Sequence, residues 1–91
     1  MPDASPTPAQ IRATIASLLD SRADGATICP SDVARALAPD PEWRALMDDV
    51  RRVAAEGHHA GRLEIRQHGH RVDPETARGP IRIARPDATG Q

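Results

Sequence analysis

An α+β fold is what this sequence predicts, and two observations carry the prediction. Apolar residues recur every three to four positions up to about residue 60 and every second position after it. Three points also carry the polar-plus-proline signals that open helices: Thr7-Pro8, Pro30-Ser31-Asp32 and Asp40-Pro41-Glu42. With 91 residues there is room for one core and not two. Six Ile, five Leu and four Val are few enough to raise the question of disorder. The net charge of −1 gives little self-repulsion, however, and the strong periodicity argues for a folded domain with a thin core.

The first helix starts at Thr7-Pro8-Ala9-Gln10, a capping-box spacing with proline at the first helical position. Ile11, Ile15, Leu18 and Leu19 then define one apolar face, and Asp24-Gly25 is a stop, so the helix should end near Arg22. Ala26-Thr27-Ile28-Cys29 reads as a short strand. The second helix opens at Pro30-Ser31-Asp32 with Ser31 as its expected cap, places Val33 and Leu37 on one face, and stops at Pro39. Asp40-Pro41-Glu42 restarts a third helix, expected over 42–60 with Asp40 as cap. Along it Trp43, Leu46, Met47, Val50, Val53 and Ala54 follow helical spacing. Gly57 weakens that helix without ending it, and Gly61 is the firmer stop.

Period two takes over next. Leu63, Ile65 and Gln67 alternate with Arg62, Glu64 and Arg66, and His68-Gly69 makes a two-residue turn into His70-Arg71-Val72-Asp73. That register sets Ile65 opposite Val72 on the inner face and Arg66 opposite Arg71 on the outer one. Ile81-Arg82-Ile83 is one more alternating strand. Helix, strand, helix, helix, hairpin and strand, in that order, describe a winged helix: a three-helix helix-turn-helix core with a small antiparallel sheet, the 62–73 hairpin being the wing. The domain is expected over 7–85, between a disordered arm at 1–6 and a flexible tail at 86–91.

Three stretches carry a resemblance: Thr27-Ile28-Cys29-Pro30-Ser31-Asp32-Val33-Ala34-Arg35-Ala36-Leu37 with Trp43-Arg44-Ala45-Leu46-Met47, then Gly61-Arg62-Leu63-Glu64-Ile65, then residues 73–82. They resemble an uncharacterised bacterial family of small winged-helix domains, a domain of unknown function, over nearly all of residues 10–84. The resemblance implies the fold and brings no activity with it. Gly57 departs from the pattern, where a larger helix-compatible residue is expected.

Charge is unevenly placed. Residues 1–50 hold four Arg against eight acids, and residues 51–91 hold eight Arg against five acids together with all four His. An acidic and a basic half suggest a directional surface, as a nucleic-acid binder needs. All twelve basic residues are Arg and sixteen residues are Ala, a bias that a GC-rich genome explains before any preference for phosphate does.

The outward face of the third helix carries Arg44, Asp48, Arg51, Arg52, Ala55 and His59. In a recognition helix its arginines meet phosphates or guanine edges. In a merely solvated face, Asp48 pairs with Arg44 and Arg52 one turn away. In the wing, the like-charge pair Arg66–Arg71 is explained either by a bound phosphate or by diagonals to Asp73 and Glu64. Arg62, Arg78, Arg82 and Arg85 have no obvious acidic neighbour and make the expected basic edge. The candidate nucleic-acid-binding residues are therefore Arg44, Arg51, Arg52, Arg62, Arg66, Arg71 and Arg82, and the expected partner is double-stranded DNA. The alternative is a protein-interaction module that binds no nucleic acid, favoured by the near-zero net charge and by Asp48 and Asp49.

His58, His59, His68 and His70 fall close together but match no known ligand spacing, and read as solvated loop histidines; neither metal nor cofactor is expected. Trp43, in line with Leu46 and Val50, reads as a core plug rather than a stacking platform. Cys29, the only cysteine, reads as a small buried hydrophobe. No nucleophile–base set, phosphate-cradling glycine loop or cofactor-sized core supports catalysis, so no enzyme is expected. No apolar run is long enough for a membrane span or a leader, which points to the cytoplasm. Because no leftover apolar stripe marks an interface, the chain is expected as a monomer or weak homodimer.

Overall fold

The computed structural model describes residues 5–86 apart from residue 24. The arm expected at 1–6 and the tail expected at 86–91 therefore lie, apart from Ser5, Pro6 and Pro86, outside the described residues. The elements are α1 (Pro8–Asp20), β1 (Thr27–Ile28), α2 (Pro30–Leu37), a 3-10 turn (Glu42–Leu46), α3 (Met47–His59), β2 (Glu64–Gln67), β3 (His70–Arg71) and β4 (Arg82–Ala84). Three helices and one small antiparallel sheet make an α+β fold compatible with a winged-helix-like architecture.

α1 begins where its capping box dictates. The Thr7 hydroxyl accepts from the Gln10 N–H at 3.1 Å, and the Gln10 side chain accepts from the Thr7 N–H at 2.8 Å. α2 departs from expectation at its first turn: Cys29, not Ser31, is the N-cap. Pro30 takes the first helical position, where a missing N–H costs nothing, so the cap falls one residue before it. Asp32 reaches back to accept from the Cys29 N–H at 2.9 Å, and the Ser31 hydroxyl donates to Cys29 Sγ at 3.1 Å. Cys29 is half-buried rather than buried.

The third helix is not continuous over 42–60. Its first five residues form the 3-10 turn, and the α-helix proper starts at Met47. Asp40 does not cap it either. The Asp40 carboxylate accepts from the Trp43 indole N–H at 2.9 Å and so is no longer available to the first helical N–H groups. Trp43 is the expected core plug, with only 9% of its surface exposed. Helix α3 runs through Gly57 to His59, and Gly61, at φ +80, supplies the left-handed residue that ends it.

The sheet order is β1-β4-β2-β3, with β4 inserted between β1 and β2. Paired residues in antiparallel strands point to one face, so the register sorts the side chains into rows. Ile28, Ile83 and Ile65 form the inner row, all fully buried against the helices together with Ile11, Val33, Val50 and Val53. Turning to the hairpin, His68 (φ 52) and Gly69 (φ 81) are both left-handed, as a two-residue type I′ turn requires. Arg66 then faces Arg71 as expected. The Val72 N–H donates to the Ile65 carbonyl at 2.9 Å, which also agrees with the expected pairing of those two residues.

The neutralising diagonals of the hairpin do not form. Glu64, which faces Ala84 on β4, pairs along its own strand with Arg66 at 3.1 Å. Asp73 instead organises a turn, accepting from the Glu75 N–H on its carboxylate and from the Ala77 N–H on its carbonyl, both at 2.9 Å. The segment between β3 and β4 returns along α3, where Arg51 donates to the Gly79 carbonyl at 3.3 Å and His59 meets Glu75 at 3.3 Å. The Gln67 side-chain amide latches it from the sheet, donating to the carbonyls of Arg78 (2.6 Å) and Pro80 (3.0 Å).

Candidate functional site

The seven arginines named from sequence fall into three places. Arg66, Arg71 and Arg82 are brought together. Arg66 on β2 faces Arg71 on β3 to one side and Arg82 on β4 to the other, so three arginines stand in one row across three adjacent strands. The row lies on the face opposite the buried isoleucines, which are the sequence neighbours of Arg66 and Arg82. Like charges directly opposite one another on a sheet oppose its formation, and the row carries three of them.

Each member is held differently. Arg66 is braced by Glu64, a carboxylate only 7% exposed, which accepts from its Nε and Nη2 at 3.1 Å. Arg82 lies along β1, its Nε donating to the Thr27 hydroxyl at 2.8 Å and its Nη2 to the Thr27 carbonyl at 3.1 Å. Arg71 makes no hydrogen bond or ion pair among the described residues. Among the described residues one acid, Glu64, is ion-paired within this set of three guanidinium groups, two of which are fixed in direction by neighbours.

The helix arginines are engaged locally. Arg44 reaches Asp40 at 3.9 Å and lies over Trp43, 4.9 Å from the ring centre, while Arg35 covers the same ring at 4.2 Å. Arg52 pairs with Asp49. Arg51 holds the Gly79 carbonyl. The Asp48 pairs expected with Arg44 and Arg52 do not form, because Asp40 and Asp49 take those arginines; Asp48 is exposed. Arg62 stands apart, lining with Arg12 a groove between α1 and α3.

The expected basic edge is also divided. Arg85 is tied to Asp20 at 2.7 Å. The carbonyl of Arg78 accepts from Gln67. Thr27 and Gln67 orient this region, and neither was a candidate from sequence. The signal for the row was present in a weak form: Ile65-Arg66 and Arg82-Ile83 each put one arginine beside one inward isoleucine, but nothing local says that the two strands are neighbours.

The histidines separate. His58 is not a solvated loop residue: it is 9% exposed at the end of α3, and its Nδ1 accepts from the Ile65 N–H at 3.1 Å. Burial, together with the charges of Arg71 and His59, holds its pKa below the ordinary 6.5, against the opposite pull of Asp73 and Glu64. His59 turns to Glu75, and His68 and His70 are exposed at the hairpin turn. Among the described residues no three His, Cys, Asp or Glu gather as metal ligands, and no helix is long and apolar enough to cross a membrane.

No curated protein matches the chain. One family model, described as a protein of unknown function (DUF3253), matches residues 8–86.

Proposed function

We propose that this chain, which belongs to the DUF3253 family, is a winged-helix binding module without catalytic activity that grips the phosphate backbone of double-stranded DNA. The single observation that supports this reading is the arginine row, Arg71–Arg66–Arg82, with Glu64 as its only acidic partner among the described residues. Neighbouring strands lie about 4.8 Å apart, so the row spans roughly 10 Å. Each strand of a duplex carries a phosphate about every 3.4 Å along the axis, so an anion of that repeat meets the row at more than one point. The mutual repulsion of the three arginines falls when phosphates stand between them. Arg fits this role because its planar fork takes two phosphate oxygens at once.

Duplex is favoured over single strands because Trp43, the only member of the Phe, Tyr and Trp set, is buried and offers no stacking platform. The contact surface of this proposal is the sheet face rather than α3 and the 3-10 turn before it, whose arginines are already engaged by Asp40, Asp49 and Gly79. Those same local pairs, with Asp48 exposed beside them, favour a second reading in which α3 docks a protein partner and no nucleic acid is bound.

Fluorescence anisotropy with a labelled mixed-sequence duplex separates the two. Arg71→Ala should weaken binding by about fivefold to tenfold, as expected for one lost charged contact, and Arg52→Ala should change it little. Loss in Arg52→Ala with none in Arg71→Ala moves the surface to α3. No binding by the wild-type chain in low salt supports the protein-docking reading instead.

A further inference from the structure

Between α1 and α3 the surface opens into a groove of about 390 Å³. Its floor is core: Val53 and Leu63 are buried there beside Gly57, whose missing side chain leaves its place to Leu63. The α1 wall is low because it is built from alanines, Ala13 and Ala16 among them, both exposed. Among the described residues only two polar side chains line the groove, Arg12 and Arg62, and both are basic. Neither makes a hydrogen bond or ion pair among the described residues. The arginine row described above uses neither residue.

We infer that this groove binds a free straight-chain fatty acid, its tail along the apolar floor and its carboxylate between Arg12 and Arg62. Three features of the groove select that chemistry. Its volume lies in the range of small-molecule sites, roughly 300–1,000 Å³. From Arg12, where the carboxylate is held, its α1 lining runs to Leu19, about 10 Å of helix, which suits the extended tail of a ten-carbon acid. Its two charges have one sign and sit on an otherwise apolar lining, so the complementary ligand has one anionic end and no other polar group. A guanidinium fork matches a carboxylate in particular, because both are planar and bond in parallel pairs.

The test is titration of the full chain with decanoate, kept below its micelle concentration, by calorimetry and by amide chemical-shift mapping. Saturable one-to-one binding is expected, with the shifts centred on Ala13, Ala16, Val53 and Leu63. Decanol should bind at least about tenfold more weakly than decanoate, and Arg12→Ala/Arg62→Ala should lose about as much, because both remove the charge-assisted bonds. Ala13→Trp, at an exposed position, should fill the groove and abolish binding while the urea midpoint stays in place; Ala16→Phe repeats that test one turn on. The inference is overturned if decanoate does not saturate, or if decanol matches it and the arginine variants bind normally. It is equally overturned if sedimentation shows a dimer that Ala13→Trp dissociates, which assigns the groove to a second copy. A monomer that ignores decanoate but binds an acidic amphipathic peptide there assigns it to a protein helix.

Discussion

The His58 imidazole joins the end of α3 to β2 by accepting the Ile65 N–H on Nδ1, a role open only to the neutral ring. Its pKa is lowered in the folded chain, so below 6.5 the unfolded chain binds the proton more readily. The stability from a neutral His58 is therefore present above 6.5 and is lost as pH falls through the folded-state value. Thermal unfolding across this range should show the midpoint dropping with pH, and dropping less in His58→Asn, whose amide oxygen can still accept. Identical slopes would remove His58 from the account. His58→Ala leaves the Ile65 N–H buried without an acceptor, at a cost of about 1–3 kcal/mol.

One residue before His58, Gly57 is set by packing against Leu63. A Cβ there would meet Leu63 at 2.9 Å (Cδ2) and 3.0 Å (Cγ), and Leu63 is itself buried. Ala gains about 1 kcal/mol of helix propensity over Gly, but overpacking costs about 1–3 kcal/mol, so Gly57→Ala should destabilise slightly. In a Leu63→Ala background the clash is gone and the same change should stabilise; chemical denaturation of the four-member cycle reads the sign reversal. The caps of α1 were legible in sequence because Thr7 and Gln10 bond each other three residues apart. His58 was not, since its partner lies across a helix–strand junction and nothing in the spacing of four histidines marks one as buried.

Hydrophobic period locates the α-helices and strands of the described residues to within a few positions. What it could not place was pairing. Ile81-Arg82-Ile83 reads as a strand from alternation alone, yet only the tertiary fold puts β4 between β1 and β2 rather than on an edge. The 3-10 turn was equally hidden, because Trp43 and Leu46, three apart, suit either helix type. The long return between β3 and β4 depends on Gln67, whose one amide nitrogen serves two carbonyls. Gln67→Ala should leave the core folded and loosen this segment selectively, read as faster amide exchange at residues 73–80 with little change in α1 and α2. Uniformly faster exchange would show that the latch supports the whole sheet instead.

For the whole molecule, the charge asymmetry of the sequence becomes a surface only through topology. Eight of the twelve arginines lie in residues 51–91, but their number alone gave a diffuse list along helix and wing. Insertion of β4 beside β2 draws Arg82 level with Arg66 and Arg71, while Arg85 is neutralised by Asp20 and Arg52 by Asp49. Residue type alone picks out the arginines, whereas their sorting into row, helix and groove is not legible in it. It follows that the sheet face should give a salt-dependent interaction that the near-neutral net charge of the chain does not.

The measurement that tests this most directly is the affinity of the chain for duplex DNA across a salt series, beside the Arg66→Ala/Arg71→Ala/Arg82→Ala variant. If each arginine neutralises one phosphate, the slope of log K against log salt should be about 2.7 units steeper in the wild-type chain than in the variant, at roughly 0.9 per contact. Binding with the same slope in both, or no binding by the wild-type chain at the lowest salt, would contradict the assignment of the row to a phosphate backbone.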